Sequence, residues 1–308
     1  MSPLRQALAD YLSIRRALGT KLDRAEKLLA QFVTYLEDRQ VATVTIEDAL
    51  AWATSPKGTS AWWWALRMSP VRGFATYLRT VDGCAEVPPV GLIAHGRHRA
   101  TPYLYSDTDI RALVNAATGL TRRLSAATYP ALISVLAVTG MRIGEAIALD
   151  TDDLDDHLGL LTVREGKFGK SRLLPLHPSS TAGLRQYLET RNRLRPNRTS
   201  DALFISSTGT RLSYIAVHRT FRHLTRQAGL AARSAACRPR IHDLRHSFAV
   251  ATLLDWYRQG ADVQALLPRL STYLGHADPK HTFWYLSAAP ELLTLAGQRL
   301  DTHLAGQP

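Results

Sequence analysis

Hydrophobic positions in the first part of the chain recur at the spacing of an α-helix. Between residues 22 and 36 they fall at 28, 29, 32, 33 and 36, which predicts an amphipathic helix. A short capped helix is expected over residues 45–50, and a longer one over residues 60–81 that Pro70 should kink. Residues 1–95 therefore predict an all-α domain.

The pattern changes after a stretch rich in proline, glycine and basic residues, at 87–99, which predicts a linker. The rest of the chain combines helical patterns with one β-hairpin. Residues 160–164 and 171–176 are strand-like, and the two glycines of residues 165–170 suit the loop between them. The fold class predicted is mainly α with a small β-hairpin or sheet, in which an α+β domain follows the helical one.

The chain is strongly basic. Its 308 residues carry a formal net charge of +12, and between residues 185 and 245 thirteen arginines stand against three acidic residues. This density indicates a polyanionic partner, nucleic acid first, although a solvated basic surface would show the same charge run. No long apolar run predicts a membrane span, the first residues do not resemble a signal peptide, and the two cysteines suggest neither a disulfide framework nor a zinc site. A cytosolic protein is expected.

Three consecutive tryptophans, Trp62 to Trp64, lie near the start of the longest predicted helix. They could form a platform on which bases stack. Large aromatic side chains are more often buried, however, so at least two of them are expected to fill the core of a small helical bundle. Arginines of the same helix are better candidates for phosphate contacts, because they can lie along one side of it. These are Arg67, Arg72 and Arg79.

Candidate chemistry is concentrated in the second half, in short polar strings with apolar surroundings. Arg142 follows a Thr-Gly break, His242 and Arg245 are three residues apart, and His276 follows Leu-Gly and precedes Tyr285 by nine residues. Arginine can bind phosphate oxygens with paired N–H groups, histidine can move protons near neutral pH, and tyrosine can act as a covalent nucleophile. Together they offer what an enzyme needs to attack a DNA phosphodiester without a metal.

Each residue type also has an ordinary structural interpretation. Arg142 could be a helix-end arginine paired with Glu145, which is expected to orient it rather than react. His276 could be a satisfied histidine after a helix, and Tyr285 a buried aromatic residue. His246 is expected to be structural.

Lysine is scarce in this chain, which has 32 arginines and 6 lysines. Two of the lysines, Lys167 and Lys170, lie together in the predicted hairpin loop. A guanidinium binds phosphate but cannot give up a proton at useful pH, whereas an amine can. Lysine in this position is therefore a candidate general acid, although both residues could instead be solvated and contact backbone phosphates.

The order, spacing and surroundings of these residues resemble the tyrosine recombinase family, which is phage-integrase-like. The family's motifs read T-G-x-R-x-x-E, H-x-L-R-H, L-G-H and a tyrosine nine residues later, and residues 139–145, 242–246, 274–276 and 285 match them. Residues 271–292 also resemble, less sharply, recombinases carried by mobile elements. The catalytic residues that the resemblance implies are Arg142, Lys167, His242, Arg245, His276 and Tyr285.

The resemblance implies site-specific cutting and rejoining of DNA without metal, cofactor or ATP. The two arginines would bind the scissile phosphate, the two histidines would hold it and tune proton transfer, and the tyrosine would form a 3′-phosphotyrosine. Lys167 would protonate the leaving 5′-oxygen. Lys170 and Arg172 are expected to contact DNA.

The implied architecture is a C-shaped clamp of two domains around DNA. A core-binding domain would span residues 1–95 with a linker to about residue 103, and a catalytic domain would span residues 104–308.

The implied partner is double-stranded DNA with an inverted-repeat core site, bound by a protein that is a monomer in free solution and a homo-tetramer on paired sites. Accessory recombinases are further expected partners, and a membrane is not. The tail helix, residues 290–308, would dock on a neighbouring protomer or else pack on its own domain. The expected location is the bacterial cytoplasm, with the nucleoid.

Two other functions would use the same residues. A type IB topoisomerase would act on one duplex, and oligomerisation would separate it from a recombinase. A non-catalytic DNA-binding module would keep the basic groove but form no covalent adduct, and the intact catalytic set argues against it.

Overall fold

The chain divides into two compact units, residues 1–98 and 99–308. This division falls within the stretch that the sequence assigns to a linker. A computed structural model describes residues 2–20, 22–94, 100–164, 171–196, 200–276, 278, 280–287, 291–295 and 297–298.

The first unit contains four described helices, which confirms the helical pattern of its sequence. Hydroxyl side chains of Ser2, Thr45 and Ser60 precede three of these helices and accept a backbone N–H of the first turn. Phe32 and Phe74, from the second and fourth helices, lie fully buried at the centre of the core. The helices are α1 (Pro3–Ala17), α2 (Asp23–Asp38), α3 (Ile46–Thr54) and α4 (Ala61–Val81), the last of which continues through Pro70.

The expectation that at least two of the three tryptophans fill this core is wrong. Trp62 is 56% exposed, Trp63 and Trp64 are half-buried, and none of them belongs to the core cluster. Successive helical residues point about 100° apart, so three in a row cannot share one buried face. Helix α4 instead buries Met68 and further residues at helical spacing after it. The guanidinium of Arg24 lies 5.0 Å from the centre of the Trp63 ring.

The second unit combines helices with a three-stranded antiparallel sheet in the order β1-β2-β3. Its strands are β1 (Leu154–Asp155), β2 (Leu160–Val163) and β3 (Arg172–Pro175). In the confirmed hairpin of β2 and β3, Leu161 pairs with Leu174 and Val163 with Arg172. The short strand β1, which the sequence pattern did not predict, pairs with β2.

Helix α6 lies at the centre of the second unit, where it packs against α5, α8 and α10. Its residues Leu132, Ile133 and Leu136 are buried in the main core. None of the helices in the described ranges is long and apolar enough to cross a membrane. The α-helices of this unit are α5 (Asp107–Thr118), α6 (Arg123–Thr139), α7 (Ile143–Ala148), α8 (Pro178–Leu194), α9 (Tyr214–Gln227), α10 (Asp243–Arg258), α11 (Val263–Leu274) and α12 (Lys280–Phe283), and two 3₁₀ turns cover Thr151–Asp153 and Trp284–Ser287.

A second apolar cluster of this unit joins α10 and α11 to the part of the tail that the structure describes. Leu292 is 1% exposed and lies in the same cluster as Tyr285, and Leu295 packs against it. The beginning of the expected tail therefore packs on its own unit, as the alternative interpretation anticipates. Residues 299–308 lie outside the described part of the chain.

Candidate active site

Arg142 lies directly after a tight turn between two helices. Gly140 caps the end of α6 with a φ of +59°, in the left-handed region that favours glycine, and Arg142 is the cap residue before α7. Its Nη1 donates to Glu145 Oε1 at 2.8 Å, and its Nη2 donates to the carbonyl oxygen of Gly275 at 3.0 Å. Its side chain is about a quarter exposed, at 25%. The turn thus brings Arg142 to the end of a helix far along the chain.

Arg245 lies in the first turn of α10 and is almost completely buried, with 2% exposed. Its Nη1 donates to the carbonyl oxygen of Gly140 at 2.8 Å and its Nη2 to that of Leu274 at 2.7 Å. Burial and, to a smaller extent, the charge of Arg142 lower the pKa of Arg245 to about 10, so the group still carries a proton at neutral pH. Both guanidinium groups are therefore anchored to the turn after α11, and that of Arg245 is anchored to the turn after α6 as well.

Tyr285 lies in the 3₁₀ turn after α12 and is 3% exposed. Its side chain lies next to the guanidinium of Arg245 and interacts with it electrostatically. The ring of His276 lies nearly parallel to the tyrosine ring, with centroids 6.0 Å apart and an angle of 20° between the planes. The expected nucleophile thus lies beside one arginine and one histidine of the predicted set.

His276 follows the second of the two glycine turns, at Gly275, whose φ is +68°. Its Nδ1 is 2.7 Å from the hydroxyl of Thr282, which is itself buried. Burial lowers the pKa of His276 to about 3, and the positive charges of Arg245 and Arg142 contribute to that shift. The ring is therefore neutral at physiological pH and can accept or donate a hydrogen bond without carrying charge.

His242 is the cap residue at the start of α10, three residues before Arg245, and its side chain is exposed to solvent. The surrounding protein lowers the pKa of His242 by desolvation, and the charge of Arg245 lowers it further. His246 lies between this residue and the nucleophile, because its ring is 4.9 Å from the His242 ring and 5.4 Å from the Tyr285 ring, both edge to face. The structure thus brings together five of the six predicted catalytic residues, and His246 packs among them.

The sixth, Lys167, falls in residues 165–170, outside the described part of the chain, and so does Lys170. The two strands that lead into and out of this loop are described. Arg172, the first residue of β3, donates to both carboxylate oxygens of Glu145, at 3.2 and 2.8 Å. The loop end of β3 is therefore held next to Arg142 through their shared partner, Glu145.

The arginines expected to contact DNA lie in several different environments. Arg172 has a side chain only 11% exposed that is bound to Glu145, an environment that favours a structural role over the expected DNA contact. Arg67 is 6% exposed with its guanidinium 3.9 Å from the centre of the Trp52 ring, so it does not lie on the open side expected for it. Arg72 donates to the carbonyl oxygens of two prolines, at 2.7 and 3.0 Å. Arg79 is exposed, and its contact with DNA remains a prediction.

The basic run between residues 185 and 245 contains both structural and surface arginines. Arg191 is fully buried and donates to the carbonyl oxygens of Ala202 and Leu203 at 2.7 and 3.0 Å. On α9, in contrast, Arg219, Arg222 and Arg226 are exposed. Their spacing of three and four residues places them on one face of the helix. The charge run therefore includes one concentrated basic surface.

Sequence reasoning missed the contacts that hold the catalytic side chains in place. The hydroxyl of Thr282 is the partner of His276, six residues earlier in the chain, and nothing in a lone buried threonine signals that role. Arg172 could be recognised only once the strand was placed beside α7, since its partner Glu145 is 27 residues away.

Comparisons with known proteins agree with this geometry. Residues 105–291 match the model of the phage integrase family. A protein of Sinorhizobium fredii (strain NBRC 101917 / NGR234) named as an integrase/recombinase, y4rB, is 43% identical over 307 residues, which cover 98% of each chain. The tyrosine recombinase XerC of Stutzerimonas stutzeri (strain A1501) is 32% identical and covers 88% of this chain and 87% of its own.

Among solved structures, the Tn1549 transposon integrase in complex with transposon right end DNA has the same fold. Its TM-score is 0.61 at 17% identity, with 98% of this chain and 100% of that chain covered. The family model covers well over half of the sequence, and a relative of 43% identity spans nearly all of it. The chain therefore belongs to the phage integrase family and is a tyrosine-type site-specific DNA recombinase.

Proposed function

We propose that this recombinase cuts and rejoins double-stranded DNA through a 3′-phosphotyrosine, with no metal and no ATP. The catalytic residues of the proposal are Arg142, Lys167, His242, Arg245, His276 and Tyr285. The observation that carries it is the anchoring of the Arg142 and Arg245 guanidinium groups to the glycine turn after α11, with the Tyr285 side chain next to that of Arg245.

The two arginines supply electrostatic stabilisation. Each guanidinium has five N–H donors, so the bonds to backbone carbonyls leave others for the non-bridging oxygens of a phosphate. Negative charge grows on those oxygens as the pentacoordinate transition state forms, and donors that are already oriented stabilise it most. Arg142 and Arg245 are therefore assigned to the scissile phosphate.

The covalent step exchanges one phosphoester for another. The phenolic oxygen of Tyr285 bonds to phosphorus, and the bond from phosphorus to the 5′-oxygen breaks. His276 is the candidate acceptor of the phenolic proton, because a bound phosphate would offset the positive charges that lower its pKa. Lys167 gives a proton to the leaving 5′-oxygen. The step conserves the number of phosphoester bonds, so a 5′-hydroxyl of another strand can reverse it without an energy source.

The DNA partner of the proposal is a duplex with an inverted-repeat core site, bound by a monomer that assembles into a tetramer on paired sites, with accessory recombinases as further partners. The exposed arginines of α9 and Arg79 are assigned to backbone phosphates, because they are free of carboxylate partners among the described residues. Since its substrate is chromosomal or mobile DNA, the reaction is assigned to the bacterial cytoplasm, at the nucleoid.

Covalent capture tests the proposal. A suicide substrate nicked near the exchange point should trap an SDS-resistant protein–DNA adduct, and Tyr285→Phe should abolish the adduct while DNA binding remains. Tyr273→Phe is a matched control, since that tyrosine is half-buried and lies in the same unit. An adduct formed by Tyr285→Phe would show that the nucleophile is another residue.

A substrate with a modified leaving group tests whether Lys167 is the general acid. Lys167→Ala should cleave ordinary DNA poorly and should recover on a 5′-phosphorothiolate substrate, whose leaving group needs no proton. Recovery of Lys170→Ala instead would move the role to that lysine. Strong inhibition of the wild type by EDTA would contradict the metal-free mechanism.

A further inference from the structure

We propose that Arg172 is a positioning residue for strand cleavage. It holds the Glu145 carboxylate, and through it the guanidinium of Arg142, and it supports the turn that precedes His276. This proposal rests on the catalytic roles assigned above to Arg142 and His276. It replaces the DNA contact that the sequence suggested for Arg172.

The carboxylate of Glu145 is the shared partner of two arginines. Its side chain is 8% exposed and accepts four hydrogen bonds. Two come from Arg142, from the backbone N–H at 2.9 Å and from Nη1 at 2.8 Å, and two come from the guanidinium of Arg172. A buried carboxylate stays charged only when it is paired and hydrogen-bonded, and Arg172 supplies two of the four hydrogen bonds that keep Glu145 ionised and able to orient Arg142.

Arg172 also braces the glycine turn after α11. Its Nε donates to the carbonyl oxygen of Tyr273 at 2.8 Å. A Cβ built on Gly275 would come within 2.7 Å of Arg172 Nη1, so the guanidinium packs directly against the backbone of the turn. The carbonyl oxygens of Leu274 and Gly275 in this turn are the ones that accept from Arg245 and Arg142.

The geometry also separates this role from DNA binding. The Nε, Nη1 and Nη2 atoms of Arg172 all donate to protein oxygens, and the side chain is 11% exposed. Arg172 joins strand β3, helix α7 and the end of α11, the three segments next to the reacting groups.

Loss of Arg172 should show in the pH dependence of cleavage. Burial alone would raise the pKa of Glu145, and the hydrogen bond from Arg172 is the foremost contribution that lowers it, ahead of those from Arg142. The positive groups around this carboxylate are Arg172 on β3, Arg142 at the start of α7 and Arg245 on α10. Without Arg172 the pKa of Glu145 should rise, so that lowering the pH protonates it and releases Arg142.

The test uses the full chain and single-turnover cleavage of the suicide substrate, at saturating DNA, from about pH 8 to about pH 5.5, the range in which a raised carboxyl pKa becomes visible. Arg172→Met should slow cleavage on the order of tenfold to a hundredfold, as a misplaced catalytic group does, with little change in the affinity for DNA. The rate of this variant should also fall more steeply on the acid side than that of the wild type. Arg172→Lys should recover part of the rate, because it restores the charge beside Glu145.

Two further variants test whether Arg172 affects cleavage through Glu145. Glu145→Gln should slow cleavage without the additional acid-side fall of Arg172→Met. Adding Arg172→Met to it should cost less than the two single losses combined, because both remove the same interaction. Arg164→Met is the matched control, since Arg164 directly follows β2, is 61% exposed and pairs with Asp153. Its pH profile should match that of the wild type.

Several results would overturn the proposal. If Arg172→Met weakens DNA binding while cleavage at saturating DNA and its pH profile are unchanged, Arg172 is a DNA contact. If the losses from Glu145→Gln and Arg172→Met are fully additive, Arg172 does not act through Glu145 and the proposal is wrong. If Arg172→Met does not fold, the pH profile of Arg172→Lys and the double-variant comparison with Glu145→Gln decide. An adduct formed by Tyr285→Phe would refute the proposed catalytic set and is a separate outcome.

Discussion

At the scale of single residues, backbone carbonyls orient the catalytic arginines without neutralising them. Arg142 and Arg245 donate to the carbonyl oxygens of Gly275, Gly140 and Leu274, which carry no net charge. Three guanidinium groups surround one carboxylate, that of Glu145, so two positive charges remain uncompensated among these groups. A phosphate in a pentacoordinate transition state gains negative charge, and these two positive charges would stabilise it.

The histidine beside the nucleophile predicts a pH dependence of stability. The pKa of His276 is lowered from 6.5 to about 3 in the folded protein, by burial first and then by the nearby arginines. Between those values the unfolded chain binds a proton that the folded chain does not, so the free energy of unfolding falls as the pH falls from about 6.5 toward about 3. His276→Gln should reduce that fall, which urea unfolding at neutral pH and about pH 5 can measure.

His223→Gln is the control for this experiment, because His223 is an exposed histidine of the same unit. It should leave the difference between the two pH values unchanged. Equal losses of stability for the wild type and His276→Gln would show that the folded protein does not hold this ring neutral.

At the scale of elements, two glycine turns determine where the site forms. Gly140 caps the end of α6 and Gly275 that of α11, both with positive φ. A Cβ on Gly140 would lie 2.5 Å from the ring of Phe248, and one on Gly275 would lie 2.7 Å from the guanidinium of Arg172. Each turn therefore excludes a side chain both by its backbone conformation and by its closest neighbour.

Alanine substitutions test these turns. Gly140→Ala and Gly275→Ala should each lower the free energy of unfolding by about 1–2 kcal/mol from the left-handed backbone alone, and Gly140→Ala by more because Phe248 is packed in place. Gly275→Ala should slow cleavage more than its loss of stability explains. Gly183→Ala, inside α8 with nothing within 4 Å of the added carbon, should instead stabilise by about 0.5–1 kcal/mol. Similar losses at all three positions, in urea unfolding, would contradict the argument from the turns.

Many of the helices, strands and turns could be predicted from the sequence, because apolar spacing and turn residues are local signals. The helices of the first unit, the hairpin and the convergence of the motif residues follow from them and from the family resemblance. The placement of the tryptophans and of Arg67 and Arg172 could not be predicted in this way. An arginine over Trp52 or beside Glu145 has the same local sequence signal as one that faces solvent, and only tertiary packing distinguishes them.

At the scale of the whole molecule, the arginines behind the net charge of +12 serve different purposes. Arg191 and Arg245 are buried and hold backbone carbonyls, whereas the exposed arginines of α9 form a basic surface. Composition alone therefore indicates a polyanionic partner correctly but overstates how many arginines can reach it. The arginines that remain at the surface are the ones that should make DNA affinity depend on salt.

Assembly is the property of the whole molecule that separates recombination from relaxation of a single duplex. The beginning of the tail packs in its own unit, since Leu292 is buried in the cluster that contains Tyr285. A deletion from residue 290 would therefore disturb the nucleophile as well as any contact with a second protomer. The docking proposal is better tested by removing only residues 299–308.

A truncation after Gln298 should leave adduct formation on a single-site suicide substrate intact and should slow recombination between paired sites, because exchange needs several protomers around two duplexes. Leu292→Ala should instead lower adduct formation even on the single site, by an amount that follows the loss of packing around Tyr285. Sedimentation velocity on free and DNA-bound protein counts the protomers, with a monomer expected in solution and a tetramer on paired sites. Efficient recombination by the truncated chain would rule out docking by these residues. Relaxation of supercoiled DNA by a protein that remains monomeric would favour the topoisomerase alternative, since one protomer on one duplex suffices for that reaction.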